Sequence, residues 1–387
     1  MKFEQLLTLF QETHRELQKR AARSVDIALV VRNWLFGWYI VEFEQGGAAR
    51  VELYGKRLIE RISEELTARL GRGFSKRSLE QYRRFYDCYR EIAQTVPAQS
   101  LESSFGWQKI RQAMSGESPD SLSGAVITLQ AFSAELASRF TLGWTHYVAL
   151  LTISNPDERH FYEIEARENS WGARELERQI ASSLFDRLAL SRDKAGIKAL
   201  SHNGLVIEKA SDVVKNPYVL EFLDIEEKNA YSEHELETAI INRIEHFLLE
   251  LGKGFLFEAR QKRFTFENDH FYVDLVFYNR LLQCYVLIDL KRDKLTHQDL
   301  GQMQMYVNYF DRYVKTEDEL PTIGIVLCHR KNDALVELTL PKDSNIFASK
   351  YLLYLPSKEE LKKQMEEAVG IEHKEDAHRG ISPGALP

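Results

Sequence analysis

The 387-residue sequence predicts a two-domain α+β protein, in which an all-α domain precedes an α/β domain. Up to about residue 190, apolar residues recur with the 3.6-residue period of helices and β-branched runs are few. The next forty residues are rich in turn signals, and β-branched and aromatic runs begin at Phe255. The sequence therefore predicts the following parts: a helical domain at 1–190, a linker at 191–231, an α/β domain at 232–370 and a disordered tail at 371–387.

The composition is that of an ordinary globular protein, with 44% apolar and 28% charged residues, which excludes a largely disordered chain. The formal charge is −7, so binding of a polyanion would depend on a local patch. The N-terminus lacks the apolar segment of a signal peptide, and charged residues interrupt the most apolar stretch, at 25–43. The three cysteines form no Cys-x-x-Cys pair. We therefore expect a cytoplasmic protein without a membrane anchor.

A local positive patch lies in the predicted helical domain, between Tyr54 and Arg90, where ten Lys and Arg stand against five Asp and Glu. The pattern of helix, Gly-Arg-Gly turn and helix is compatible with a helix-turn-helix. On the second helix, aromatic residues occupy the opposite side from four basic residues, which are candidates for phosphate contact: Lys76, Arg77, Arg83 and Arg84. Because Glu80 and Asp87 fall within the basic arc, a solvated charged surface remains an alternative.

The second domain begins with a capping box at Ser232–Glu235, which starts a helix that ends at Gly252. Three β-branched and aromatic runs follow and predict consecutive hairpins. The predicted elements after the first helix are strands at 255–266, 271–278 and 283–291, a helix at 296–313, a strand at 322–329 and a helix at 357–369. Apart from the last helix, the predicted order is αβββαβ.

Two carboxylates and one ammonium group interrupt the buried strands. Asp274 is the single charge in FYVDLVFY, where an ionised carboxylate is costly unless it is paired or binds a metal. Asp289 ends the apolar run VLIDLK, and Lys291, two residues further on, points to the same face of the strand. These three residues are the first candidates for chemistry.

A hairpin with a two- or four-residue loop would place Tyr278 opposite Gln283 and make Asp289 the diagonal neighbour of Asp274. The diagonal separation of roughly 7–8 Å allows two carboxylates to converge on one hard cation such as Mg²⁺. Such an ion lowers the pKa of a bound water and stabilises charge on a phosphate oxygen, and Lys291 would orient or deprotonate that water. A loop of odd length would move one strand's side chains to the other face and remove this site.

The spacing of Asp274 and Asp289-Leu290-Lys291 on a hairpin resembles the PD-(D/E)XK nuclease superfamily. The segments LLELGKGFLFEARQKR, FYVDLVFYN, VLIDLKRDKLTHQDLGQMQMYVNYFD and PTIGIVLC resemble the nuclease domain of YhcG-type bacterial proteins, over residues 232–355. The first half resembles the helical N-terminal domain of unknown function in the same family, through YGKRLIERISEELTARLGRGFSKRSLEQYRRFY and NSWGARELERQI. Val273 stands where the motif has a proline, and Asp289 stands where YhcG-like sequences would have a glutamate, although the superfamily tolerates both.

The resemblance implies a restriction-endonuclease-like second domain with a phosphodiesterase activity that depends on Mg²⁺ or Mn²⁺. It implies that Asp274 and Asp289 bind the metal, that the Leu290 carbonyl adds a ligand, and that Lys291 serves the attacking water. In the superfamily, an acidic residue on the helix before the strands often completes the site. Glu237 is the candidate, because it falls within that helix's apolar stripe, although an acid in a first turn also simply stabilises the helix.

Four further residues are candidates around this site. Gln302 and Tyr306 resemble a Q-x-x-x-Y element that supports the site and the substrate in some nucleases of the superfamily, and their spacing puts them on one helical face. Arg260 and Lys262 belong to a basic run on the first strand, where half of the side chains would reach phosphates beside the acids. A solvated edge strand is the alternative for this run.

The expected function is therefore that of a metal-dependent PD-(D/E)XK endonuclease, a hydrolase acting on nucleic acid, with DNA favoured over RNA. The N-terminal domain would bind DNA or a partner, and paired cuts on a duplex would favour a homodimer. The alternative is a nuclease fold that is catalytically idle and serves as a binding module for nucleic acid or protein. Strand preference, sequence specificity and the choice between endonuclease and exonuclease stay open.

Overall fold

A computed structural model describes the protein over residues 26–41, 58–70, 73–94, 136–189, 192, 194–226, 231–341, 343–357 and 359–360. The chain divides into two compact units, Met1–Leu176 and Glu177–Pro387. The domain limits given by the sequence stay a prediction, and the predicted tail lies outside the described residues. Within the described ranges, no helix is long and apolar enough to cross a membrane.

The described part of the first unit is helical. Its helices are α1 (26–41), α2 (Leu58–Leu70), α3 (Lys76–Cys88), α4 (Glu91–Gln94), α5 (136–139), α6 (Trp144–Leu150), α7 (Pro156–Glu168) and the start of α8 (Ala173–Ala181). The Asn155 side chain accepts a hydrogen bond from the backbone N–H of Asp157 and caps α7, whose first residue is proline. An aromatic core holds these helices together, and Phe85 of α3 contacts the rings of Trp144 and Tyr147.

The second unit combines helices with a mixed sheet. After α8 come α9 (Leu184–Ala189), α10 (Lys194–Asn203), β1 (Tyr218–Val219), α11 (Glu233–Asn242), α12 (Ile244–Leu251), β2 (Phe255–Phe266), β3 (Asp269–Asn279), β4 (Cys284–Lys294), α13 (His297–Tyr313), β5 (Ile323–Arg330), α14 (Asp333–Thr339) and β6 (Ile346–Leu352). Short 3-10 helices lie at Ala210–Val213 and Glu221–Leu223. The capping box at Ser232 and Glu235 is present, as predicted.

The six strands form one sheet in the order β1-β6-β5-β4-β3-β2. Strands β2, β3 and β4 are antiparallel neighbours, whereas β4, β5, β6 and β1 run parallel. One apolar core packs α11 and α12 against one face of the sheet, and a second core packs α13 against the other face. The sheet is therefore the middle layer between helices, and its antiparallel hairpin carries the candidate residues.

Several elements differ from the sequence prediction. The structure contains β1, α14 and β6, which the predicted αβββαβ order lacks. The single helix predicted from Ser232 to Gly252 is broken into α11 and α12 at Arg243. Of the helix predicted at 357–369, residues 359–360 are helical and 361–369 lie outside the described residues.

The hairpin register predicted for β3 and β4 is wrong by two residues, because the turn lies one residue later than expected. Asn279 pairs with Cys284 and Tyr278 with Tyr285, which leaves a four-residue loop at 280–283. The Asn279 side chain accepts hydrogen bonds from the N–H groups of Leu281 and Leu282, so it keeps its place in β3 and starts the turn after itself. Because a two-residue shift preserves the alternation, Asp274 and Asp289 still share a face.

Candidate active site

Asp274, Asp289 and Lys291 come together where β3 and β4 pass each other. Leu275 pairs with Ile288 in the antiparallel β3–β4 ladder. The next position of that register places Asp274 on β3 opposite Asp289 on β4. In this register the two acids are direct cross-strand neighbours, whereas the prediction made them diagonal ones. Lys291 Nζ lies 2.9 Å from Asp289 Oδ2. The structure therefore brings together the two acids and the lysine that the sequence selected.

Hydrogen bonds fix both carboxylate oxygens of Asp274. Its Oδ2 accepts from the backbone N–H of Leu290 at 2.9 Å, and its Oδ1 accepts from Gln261 Nε2 at 2.9 Å. Each carboxylate oxygen has two acceptor positions, so these bonds leave room for a further ligand. Asp274 is thus oriented by both neighbouring strands while it keeps its capacity to bind a cation.

The Asp289 carboxylate is almost completely buried, with 2% of the residue exposed. Burial, followed by the negative charge of Asp274, raises its pKa to about 7, although Lys291 acts in the opposite direction. For Lys291, burial lowers the pKa, but the carboxylates of Asp289, Glu233 and Asp274 outweigh that effect and raise it. Lys291 is therefore an ammonium group at neutral pH, and burial is the main cause of the raised pKa of Asp289.

Two further carboxylates approach Lys291 from the first turns of helices. Glu233 Oε2 of α11 lies 3.9 Å from Lys291 Nζ, and Asp299 Oδ1 of α13 lies 4.0 Å from it. The sequence analysis did not select these acids. Asp299 also caps α13 by pairing with the backbone N–H of Thr296, and a capping role alone explains an acid at such a position. Only the tertiary structure shows that both acids face Lys291.

Glu237 of α11 lies beside this group and is buried. One of its oxygens accepts from Arg260 Nε, and the other accepts from Gln261 Nε2 at 2.8 Å. Arg260 also donates to Thr238 Oγ1 at 2.9 Å, so its guanidinium is held against α11. Both carboxylate oxygens of Glu237 thus have hydrogen-bond donors, and the expectation that Glu237 binds metal stays a prediction.

Gln261 is a further residue of this site that the sequence did not single out. The alternation of side chains along a regular strand indicated Arg260 and Lys262 as the residues that face the acids. A β-bulge between Phe257 and Ala259, however, interrupts the regular pairing of β2. Gln261 itself has a φ of 46°, which is rare for a residue other than glycine. Neither the bulge nor the positive φ can be recognised from the alternation of apolar and polar residues in the sequence.

The predicted Q-x-x-x-Y pair lies on one face of α13, where Gln302 Nε2 donates to Tyr306 Oη. Burial raises the pKa of Tyr306, and the negative charges of Asp289 and Asp274 contribute in the same direction. The phenol therefore stays protonated within the electrostatic reach of the acids.

The donors present fit a hard divalent cation. Within the described residues, no group of three or more His, Cys, Asp or Glu side chains is arranged to hold a metal ion. Mg²⁺, however, keeps several waters and needs only one or two protein carboxylates. Asp274 and Asp289 are two such carboxylates on one face, and each oxygen of Asp274 keeps a free acceptor position.

Arg260 is partly buried, whereas the other basic candidates lie on exposed surfaces. Lys262 Nζ is 3.3 Å from Glu258 Oε1 on β2. On α3, Lys76 pairs with Glu60 at 2.7 Å, and the side chains of Arg77, Arg83 and Arg84 are exposed. The buried residues of α3 lie on its other side and are Leu79, Tyr82, Phe85 and Tyr86. The predicted separation of basic and core-facing sides is confirmed, while the helix-turn-helix and its contact with DNA stay predictions.

Comparison with known proteins defines the class. Residues 211–366 match the family described as "YhcG PDDEXK nuclease domain", and residues 10–123 and 127–187 match the "DUF1016 N-terminal domain". The chain is 37% identical over 348 residues to an Escherichia coli (strain K12) protein named "Putative nuclease YhcG". The matched region covers 88% of this chain and 87% of that protein. The chain therefore belongs to the YhcG family, which combines these two domains.

Two solved structures are similar to part of the chain. The crystal structure of a repair endonuclease from Pyrococcus abyssi is 20% identical with a TM-score of 0.23, and the match covers 33% of this chain and 50% of that chain. The structure of an EndoMS-dsDNA2 complex is 18% identical with a TM-score of 0.23, over 35% of this chain and 51% of that chain. The match spans about half the length of each of these two proteins.

Proposed function

We propose that this protein is a nuclease that hydrolyses phosphodiester bonds in nucleic acid, with Mg²⁺ or Mn²⁺ as cofactor and DNA as the preferred polymer. The observation that carries the proposal is the convergence of Asp274, Asp289 and Lys291 on one face of the β3–β4 hairpin. Membership of a family of PDDEXK nucleases supports it.

Asp274 and Asp289, with the backbone carbonyl of Leu290, are the residues proposed to hold the metal ion. When bound, the ion acts as a Lewis acid that lowers the pKa of a water and stabilises charge on a phosphate oxygen. Lys291 is protonated and lies beside Asp289, so it orients the attacking water and offers positive charge to the phosphate. Gln302 and Tyr306 support the acids from α13.

The exposed basic side of α3 is proposed to contact the phosphates of DNA or a partner, through Lys76, Arg77, Arg83 and Arg84. Beside the acids, Arg260 and Lys262 are the proposed contacts on β2. We place the protein in the cytoplasm because its three cysteines are free thiols, which persist in a reducing compartment. The homodimer is also part of the proposal, because paired cuts on a duplex favour two-fold symmetry, and light scattering on the full chain measures it.

Cleavage of labelled single- and double-stranded DNA and RNA, with Mg²⁺, Mn²⁺ or EDTA, tests the proposal directly. The expected result is cleavage that requires metal and is lost in both Asp289→Ala and Lys291→Ala. Equal cleavage by these variants would contradict the site assignment. Binding of nucleic acid with no cleavage under any metal condition would favour the idle binding module instead.

A further inference from the structure

Gln261 connects two carboxylates that belong to different elements of the second unit. Its side-chain nitrogen Nε2 lies 2.8 Å from Glu237 Oε2 on α11 and 2.9 Å from Asp274 Oδ1 on β3. A primary amide nitrogen carries two hydrogens, and carboxylates act only as acceptors. Both hydrogens of this amide therefore have a carboxylate acceptor, and the chemistry of the acceptors fixes which end of the amide faces them.

The backbone of β2 is distorted at the point where it presents this amide. Gln261 has a φ of 46°, in the left-handed region, and the strand register shifts between Phe257 and Ala259. Along the regular register on either side, Arg260 pairs with Leu275 and Lys262 pairs with Val273, so Gln261 lies opposite Asp274. Local strain of this kind persists where the surrounding structure holds the residue in place.

The Gln261 side chain is exposed, so packing in the apolar core does not account for its conformation. Gln261 forms a bridge between Glu237 and Asp274. Glu237 is fixed in place, because it is buried and its other oxygen accepts a hydrogen bond from Arg260. A fixed carboxylate on α11 therefore anchors the amide, and the amide in turn restrains the more exposed Asp274. The chain of contacts runs from α11 through β2 to β3.

We propose that Gln261 is a positioning residue of the site, whose amide uses Glu237 as an anchor and holds Asp274 in the orientation that binds a divalent cation together with Asp289. This inference rests on the proposed function, because it concerns the ligands of that same site. Groups that orient metal ligands through hydrogen bonds typically change metal affinity about 10- to 100-fold when they are removed.

The test measures Mn²⁺ binding to the full chain by calorimetry, without nucleic acid, together with chemical unfolding of the metal-free protein. Gln261→Gly removes the amide and accepts a positive φ, so the substitution adds no backbone strain. Asn268→Gly is the matched control, because Asn268 is also an exposed amide with a positive φ, of 71°, and lies in the turn between β2 and β3. Glu237→Gln, alone and combined with Gln261→Gly, tests the anchor.

We expect Gln261→Gly to weaken Mn²⁺ binding at least about 10-fold while the metal-free protein stays folded, and Asn268→Gly to leave Mn²⁺ binding unchanged. The fold-loss of Mn²⁺ affinity in the double variant should be smaller than the product of the fold-losses in the two single variants, because both residues act through the same contact. Wild-type affinity in Gln261→Gly, or an affinity loss that merely follows a loss of stability, would overturn the inference alone. Absence of both Mn²⁺ binding and cleavage in the wild type would overturn the proposed function and this inference together.

Discussion

The backbone N–H of Leu290 donates a 2.9 Å hydrogen bond to Asp274 Oδ2. Through this bond, a side chain of β3 is tied to the segment of β4 that carries Asp289 and Lys291. Because the donor is part of the backbone, it is present with any residue except proline at position 290. The geometry of the acid pair is thus set by strand pairing.

Replacement of Lys291 by methionine should abolish most of the cleavage and leave Mn²⁺ binding intact. Methionine keeps the aliphatic length but removes the ammonium that lies 2.9 Å from Asp289 Oδ2. A positioned proton donor or positive charge typically contributes about 10²–10³-fold to the rate, so single-turnover cleavage should fall by that factor. Lys291→Met with wild-type cleavage would show that Lys291 does not serve the reaction.

A buried ion pair in the second unit should be important for its stability. Arg187 Nη1 of α9 lies 2.5 Å from Glu250 Oε1 of α12, and both side chains are fully buried. Removing one partner of such a pair costs about 3–5 kcal/mol, because the other charge stays buried. Urea unfolding of Arg187→Met should show this loss, and the exposed Arg243→Met, a matched control on the same unit, should change stability by less than about 0.5 kcal/mol. Equal stability of the two variants would contradict the prediction.

The same pair predicts how stability depends on pH. Burial alone would raise the pKa of Glu250, but Arg187, Lys215 and Arg178 outweigh it and lower the pKa from 4.5 to about 2. Because the folded pKa is below the unfolded one, this carboxylate contributes about 3 kcal/mol above pH 4.5, which is lost as the pH falls towards 2. Denaturation curves between pH 5 and pH 2 should therefore decline less steeply in Arg187→Met than in the wild type. Parallel declines would argue against the depressed pKa.

The exposed arginines of α3 should contribute to DNA affinity without affecting the chemical step. We expect the double variant Arg77→Glu/Arg84→Glu to bind duplex DNA at least about 10-fold more weakly and to lower the slope of affinity against salt by about 2. Fluorescence anisotropy at several salt concentrations measures both quantities. Arg174→Glu, an exposed arginine of the same unit, is the matched control, and an equal effect of this variant would show that only net charge matters.

The sequence predicted the acids and the lysine on one face because side chains alternate along a strand and an even loop preserves that alternation. The register was wrong by two because the Asn279 side chain caps the turn after itself, a contact that depends on the loop conformation. Gln261 was missed because a bulge and a positive φ interrupt the alternation. Strand β1 has two residues, too few for a periodic signal. Local patterns therefore predicted the central residues of the site, and tertiary contacts supplied the residues that orient them.

The most direct test of the account is calorimetric titration of the full chain with Mn²⁺, in the wild type, Asp274→Asn and Asp289→Asn. Asp293→Asn is the control, because Asp293 lies on the same strand, is exposed and pairs with Arg292. The account predicts that the wild type and Asp293→Asn bind Mn²⁺ alike, and that each of the other two substitutions lowers the affinity at least about 10-fold. Binding that is equally tight in all four proteins would contradict the claim that Asp274 and Asp289 form one divalent-cation site.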